Sequence, residues 1–309
     1  MFFKSYEYII EPLNKVNKEI EKAFTKKYFS KFPPIYKEGK RLRAVINLFT
    51  SKAFEKYDRN IIKIATSLEL IHFSSLIHDD VIDNADTRRN SISVNRLFGN
   101  HTAILIGDYL FSKALNFISS IKNPLIFKEF SRAAYLMCEG EIIEEFTERE
   151  NTFCEDYYFD LIYKKTGALF ESASILGAFY REEKNKKFGE FGKKFGILYQ
   201  IFDDIIDFLY EEDIKQGKVT LPLIYTKSQI FKKFPEFKKK KDGIEIKKLK
   251  EIVIENKGIQ KSMKKGEKFI KEIKTILKSF SYPLNKFLNS FVDEIHAYVL
   301  EKVNKFKEV

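Results

Sequence analysis

Ile61–Asp83 reads IIKIATSLELIHFSSLIHDDVID, and its pattern is helical. Ile62, Ala65, Leu68, Glu69, His72, Leu76, Asp79, Asp80 and Asp83 recur at intervals of three and four, which places them along one helix face. That face begins apolar and ends in the acidic pattern DDxxD. Carboxylates are rarely buried unless they are paired or bound to a metal, so an apolar helix carrying three of them calls for a cation. Asp203-Asp204-Ile205-Ile206-Asp207 repeats the pattern in an equally apolar stretch. Asp79 with Asp83, and Asp203 with Asp207, are i,i+4 pairs whose carboxylates point the same way, one turn apart. Hard oxygen donors on rigid elements suit Mg²⁺, which takes one or two carboxylates and completes its shell with phosphate oxygens and water. One DDxxD is a weak sign, because acidic helix faces are common and usually solvated. Two copies set among Leu76, Ile77, Val81 and Ile82, and among Ile201, Phe202, Ile205 and Ile206, do not read as solvated faces. Two such helices facing each other would form a metal-loaded central cleft for a diphosphate.

The same period extends through His101–Ile118, Phe127–Glu148, Tyr157–Phe179, Lys186–Leu209 and the segments between Ile259 and Lys305. Breaks fall at Pro33-Pro34, Gly39, Arg88–Ser93, Gly99-Asn100, Asn123-Pro124, Gly217, Pro235, Asp242-Gly243 and Pro283. Strand alternation is nearly absent. The expected architecture is an all-α, single-domain helical bundle over residues 1–309. Its parts are a motif-bearing core at 39–222, a basic loop region at 227–250 and C-terminal helices at 259–309.

With 309 residues, 44% hydrophobic and 32% charged, the chain has ample core material for a soluble protein. Cys138 and Cys154 make neither a disulfide framework nor a metal-ligand spacing and read as reduced thiols of a cytoplasmic protein. Lys4 and Glu7 interrupt any signal-peptide pattern, and Lys63 and Glu69 interrupt the best candidate for a membrane span. The net charge of +11 fits an anionic partner. Lys232–Lys250 is its densest source. It reads first as a solvated connection and second as a transient membrane-surface contact. No nucleic-acid motif accompanies it, so no nucleic acid is expected as a partner.

Basic residues cluster near the acidic helices: Gly39-Lys40-Arg41-Leu42-Arg43, Arg88-Arg89, Lys164-Lys165-Thr166-Gly167 and Gly217-Lys218-Val219-Thr220. Arginine forks and lysine point charges are the usual phosphate holders. Together with Glu69–Asn95 (ELIHFSSLIHDDVIDNADTRRNSISVN), Gly107-Asp108, Glu139-Gly140-Glu141, Tyr199-Gln200 and Gly217–Pro222 (GKVTLP), these motifs occur in an order and spacing that resemble the trans-isoprenyl diphosphate synthases. The resemblance covers about residues 39–222. Ala44 stands where that family usually has proline, Asn90 and Gly167 where it has glycine and alanine, Tyr199 where it has phenylalanine, and Glu144 where a glutamine often follows EGE. The segment between Asp207 and Gly217 is shortened.

The resemblance implies the all-α prenyltransferase fold, a homodimer, and Mg²⁺-dependent head-to-tail condensation of isopentenyl diphosphate with an allylic diphosphate such as farnesyl diphosphate. It implies three Mg²⁺ ions held by Asp79, Asp83, Asp203 and Asp207, with Asp80 and Asp204 in support. Arg88, Lys165 and Lys218 would contact the allylic diphosphate. Lys40, Arg43, His72 and Arg89 would hold isopentenyl diphosphate, and Thr166 and Gln200 would steady the cation. Ser75 and Ser74 lie four and five residues before Asp79. In the family, small residues there open a channel, so the expected product is a medium-to-long all-trans polyprenyl diphosphate of the kind used for quinone side chains. A farnesyl or geranylgeranyl synthase is the shorter alternative. A terpene cyclase needs neither a second DDxxD nor Lys40, Arg43 and Arg89, and a non-catalytic subunit of a heteromeric synthase would tend to lose acidic motifs that this chain keeps. His78, beside the acidic motif but turned away from His72, reads as structural.

Overall fold

The computed structural model describes residues 3–24, 39–88, 91–180, 186–211, 214, 217–238 and 245–307, and most of them are helical. A 3-10 turn at Lys4–Ile9 leads into α1 (Ile10–Phe24), followed by α2 (Leu42–Thr50) and α3 (Arg59–Ile82). Then come α4 (Val94–Phe98), α5 (Asn100–Ser119), α6 (Pro124–Phe146), α7 (Arg149–Thr152) and α8 (Glu155–Ile162). A π-helical turn at Tyr163–Gly167 joins α8 to α9 (Ala168–Tyr180), and α10 spans Lys187–Tyr210. The remainder is α11 (Leu221–Ile224), α12 (Lys227–Lys233), α13 (Ile246–Glu255), α14 (Gly258–Leu277) and α15 (Leu284–Lys307). Among the described residues the only sheet is an antiparallel ribbon, β1 (Thr87–Arg88) with β2 (Ser91–Ile92), pairing Thr87 with Ile92 and Arg88 with Ser91. The all-α class expected from the periodicity is what the chain adopts.

The chain divides into two compact units: Met1–Ala134 with Ser172–Gly189, and Tyr135–Glu171 with Glu190–Val309. In the first, α3 is the central element. Asp58 caps it, its carboxylate accepting from the Asn60 and Ile61 amides at 2.8 and 3.1 Å. Leu68 and Ile77 of α3 and Leu110 and Ala114 of α5 are buried, and the two helices pack along their length, each larger side chain contributing about 1.5–3 kcal/mol. A Cβ at Gly107 would run into the His78 ring, so this glycine lets α5 close on α3. His78 sits as a packing residue there, 3.3 Å from the Ile104 carbonyl. α3 is long and apolar enough to cross a membrane by length and composition, but most of it is buried inside the protein. It is a core helix.

The second unit has an aromatic core. Phe195 of α10 lies 5.4 Å from the ring centre of Phe170 and 5.3 Å from that of Phe291 on α15. Phe202 stacks on His296 at 5.9 Å. The basic stretch expected as a loop at 227–250 contains α12, a 3-10 turn at Pro235–Lys238 and the start of α13. Ile230 and Leu249 are buried there, as are Ile252 and Val253 in the rest of α13; lysine abundance hid an amphipathic pattern. Residues 239–244 of that stretch, Asp242-Gly243 among them, and Pro33-Pro34 lie outside the described residues.

Candidate active site

The first DDxxD occupies the last turn of α3, and Asp83 is its C-cap, donating its amide to the Asp79 carbonyl at 2.8 Å. The chain then turns through Asn84 in the left-handed region (φ 50°). Asn95 ties this end down, its side-chain amide donating to the Asp80 and Ala85 carbonyls at 3.1 Å each. The three aspartates have different surroundings. Asp80 is 2% exposed and accepts a fork from Arg88 on β1, with Nε at 2.8 Å and Nη2 closer still. Asp79 is half-buried and Asp83 exposed. Burial works against the charge of Arg88, but Asp80, and behind it Asp79 and Asp83, raise its pKa above the ordinary value.

The expected isopentenyl diphosphate residues gather at the N-terminal turn of α2 and on α3. Arg41 adopts φ 52° at the N-cap of α2 and donates from Nε to Asn17 at 2.9 Å. Lys40 is half-buried, and its carbonyl accepts from the Tyr6 hydroxyl. Arg43 is buried in the first turn. Buried Glu69 accepts the Ala44 amide at 3.0 Å, a donor that proline at this position would lack. His72 is half-buried on α3, two turns before Asp79. Arg89 lies outside the described residues. Ser74 is buried and donates to the Gly107 carbonyl of α5 at 2.8 Å, whereas half-buried Ser75 donates to the His72 carbonyl of its own helix at 3.0 Å.

The second unit holds the rest. Lys165 and Thr166, within the segment Tyr157–Phe179 expected to be helical, lie on the π-helical turn between α8 and α9. A Cβ at Gly196 of α10 would meet the Gly167 backbone at 2.7 Å, and one at Gly140 of α6 would meet Lys165 Cγ at 2.8 Å. These two glycines let the turn lie close to α10 and α6. Lys165 forms ion pairs with Glu141 at 2.8 Å and with Glu144. Burial opposes its charge, but Glu144 and Glu141 raise its pKa well above the ordinary value. Glu141 is itself raised by burial, against the pull of Lys165 and Lys218. Lys218 thus acts on the same carboxylate as Lys165.

Thr166 Oγ1 donates to Gln200 at 2.7 Å, Gln200 Nε2 to Asp204 at 2.7 Å, and Tyr158 to the other Asp204 oxygen at 2.6 Å. Burial pushes the Asp204 pKa up to about 7, while the Tyr158 and Gln200 hydrogen bonds pull it down. Asp203 and Asp207 are half-buried near the end of α10. The second motif therefore repeats the division of the first: the middle aspartate is buried and partnered, and the outer i,i+4 pair is accessible.

Three residues escaped the sequence reading: Glu69 as a support for α2, Tyr158, and Arg149. Arg149 donates to the Gly217 carbonyl at 2.8 Å and the Phe237 carbonyl at 3.1 Å, with its guanidinium 4.5 Å from the Phe237 ring centre. It holds Gly217, the residue just before Lys218. No pattern in the sequence distinguishes it from other surface charge.

Among the described residues no group of three or more His, Cys, Asp or Glu stands ready as a closed metal cage. Each motif instead offers an accessible pair of carboxylates at the C-terminal end of a helix, where the macrodipole is negative and cations are favoured. That donor set fits Mg²⁺ bound jointly with phosphate oxygens.

The sequence profile of the polyprenyl synthetase family matches residues 31–253. Over 197 residues, 62% of this chain and 66% of the relative, the chain is 41% identical to a geranylfarnesyl diphosphate synthase of Methanosarcina mazei. Over 201 residues, 60% of this chain and 62% of the relative, it is 30% identical to an octaprenyl diphosphate synthase of Escherichia coli. The aligned stretch thus spans under two thirds of the length of both relatives. A polyprenyl synthase of Caulobacter crescentus, crystallised with calcium and isoprenyl diphosphate, shares the fold with a TM-score of 0.86 at 21% identity, covering 94% of this chain and 96% of that one.

Proposed function

The chain belongs to the polyprenyl synthetase family, and on that premise we propose that it condenses isopentenyl diphosphate head-to-tail with an allylic diphosphate to make an all-trans polyprenyl diphosphate. The observation that carries this reading is the repeated division within each DDxxD, one aspartate buried and partnered and an accessible pair one turn apart. Asp79, Asp83, Asp203 and Asp207 would hold three Mg²⁺ ions, which when bound supply positive charge to the diphosphate oxygens of the allylic substrate.

The chain's own residues do the rest. Arg88, Lys165 and Lys218 hold the departing diphosphate as the allylic C–O bond breaks and its electron pair leaves with oxygen. Lys165 exchanges part of its pairing with Glu141 and Glu144 for phosphate oxygens. Lys40, Arg43, His72 and Arg89 hold isopentenyl diphosphate, helped by the positive end of α2. The isopentenyl double bond supplies the pair for the new C–C bond, and the proton lost afterwards passes to the released diphosphate. Thr166 and Gln200 present oxygen to the electron-poor carbon.

The proposed protein is a cytoplasmic homodimer whose product serves a quinone side chain. Exposed Tyr135, Ile142 and Phe146 on α6 offer apolar surface for a second copy. Transient contact of the 232–250 region with anionic membrane would deliver product, and failure to co-sediment with anionic vesicles at low salt would remove that part. A shorter product is the second reading, favoured by the geranylfarnesyl synthase at 41% identity. The deciding experiment incubates the chain with Mg²⁺, farnesyl diphosphate and labelled isopentenyl diphosphate and sizes the products. A long ladder supports the main reading, one to two additions the shorter, and no elongation from any allylic primer rejects both.

A further inference from the structure

Beneath Thr166 and Gln200 runs a set of hydrogen bonds with a fixed sense. The Gln200 amide turns its NH₂, which only donates, toward Asp204 Oδ1 at 2.7 Å. Its carbonyl oxygen is then left for Thr166, and a carbonyl oxygen only accepts. The Thr166 hydrogen is therefore committed to Gln200, at 2.7 Å, and the lone pairs of Thr166 Oγ1 face away from it. The other end of the run is Tyr158 of α8, buried and donating to Asp204 Oδ2 at 2.6 Å. Tyr158 belongs to none of the motifs.

We propose that Tyr158 is a positioning residue for prenyl transfer: by anchoring Asp204 it fixes the orientation of the Gln200 amide and so holds Thr166 Oγ1 as an acceptor toward the electron-poor allylic carbon. This rests on the reading of the site given above. Without the Tyr158 hydroxyl, Asp204 keeps one of its two side-chain donors among the described residues and can rotate, and the Gln200 amide is no longer held in one sense. Thr166 can then present its hydrogen, the positive end of its dipole, to a carbon that is gaining positive charge. Preorganised dipoles act only when their sign and direction are fixed before the reaction.

The test is a double-mutant cycle on the full chain with Mg²⁺, farnesyl diphosphate and labelled isopentenyl diphosphate. Tyr158→Phe should lower kcat about tenfold while leaving KM for both diphosphates within about twofold. In a Thr166→Val background the same change should cost nothing further, and in Thr166→Ser, which keeps the hydroxyl, the full loss should return. Additive losses in the Val background, or an unchanged kcat per folded molecule in Tyr158→Phe, overturn the proposal. Should Tyr158→Phe not fold, Asp204→Asn goes through the same cycle under the same criterion. A wild-type chain that elongates no primer overturns the reading of the site together with this inference, whereas an active wild type with additive losses overturns this inference alone.

Discussion

At the scale of single residues, the aspartates of each DDxxD differ in burial, the middle one buried and the outer two not. Asp79→Ala and Asp203→Ala remove accessible carboxylates, so each should cut kcat by about a thousandfold or more with little change in melting temperature. Asp80→Ala instead strips the partner from Arg88, a fork with Nε at 2.8 Å. It should destabilise the fold by about 2 kcal/mol, visible in urea melts, as well as lower activity. Equal stability of the Asp79 and Asp80 variants would sink this division. The two serines before the motif also part company. Ser74 is buried against the Gly107 carbonyl, so Ser74→Phe should overpack the contact of α3 with α5 and cost about 1–3 kcal/mol. Ser75 is half-buried and bonded only within its own helix, so Ser75→Phe should fold and shorten the product. An unchanged product from a folded Ser75→Phe would show that chain growth does not pass this position. The six aspartates stood out in the sequence because charge in an apolar helix is conspicuous. Which of each three is buried was not visible there, because Arg88 and Tyr158 select the middle one through tertiary contact.

At the scale of elements, helical period placed long helices to within three residues: Ile61–Asp83 against Arg59–Ile82, His101–Ile118 against Asn100–Ser119, and Phe127–Glu148 against Pro124–Phe146. Two features stayed hidden for physical reasons. A ribbon of two-residue strands is too short to show alternation. The π-helical turn adds one residue without breaking the apolar run, and its setting is the close approach of Gly140 and Gly196, each many residues away. The segment carrying Lys218 is likewise set from a distance, by Arg149 through the Gly217 carbonyl at 2.8 Å. Arg149→Ala should free that segment. We expect KM for the allylic diphosphate to rise about fivefold with kcat within about twofold, the signature of lost ground-state binding. An unchanged KM would mean that Lys218 holds its place without Arg149, or takes no part in binding.

At the scale of the whole molecule, each compact unit carries one acidic motif and its own set of cations. The proposed reading has one diphosphate depend on both motifs, and such a ligand should stabilise the protein only when both are intact. Binding to the native state adds about 2.7 kcal/mol at a hundredfold excess over Kd. For a chain of 309 residues that is a rise of several degrees in melting temperature. Inorganic diphosphate with Mg²⁺ should produce that rise in the wild type, and either component alone should produce little. Asp79→Ala and Asp203→Ala should each abolish most of it, although the substitutions lie in different units. The proposed joint action fails if one variant keeps the full shift while the other loses it, because the diphosphate would then be the ligand of a single motif. This readout needs no turnover, so it remains informative for variants that have lost activity, and it separates loss of binding from loss of chemistry.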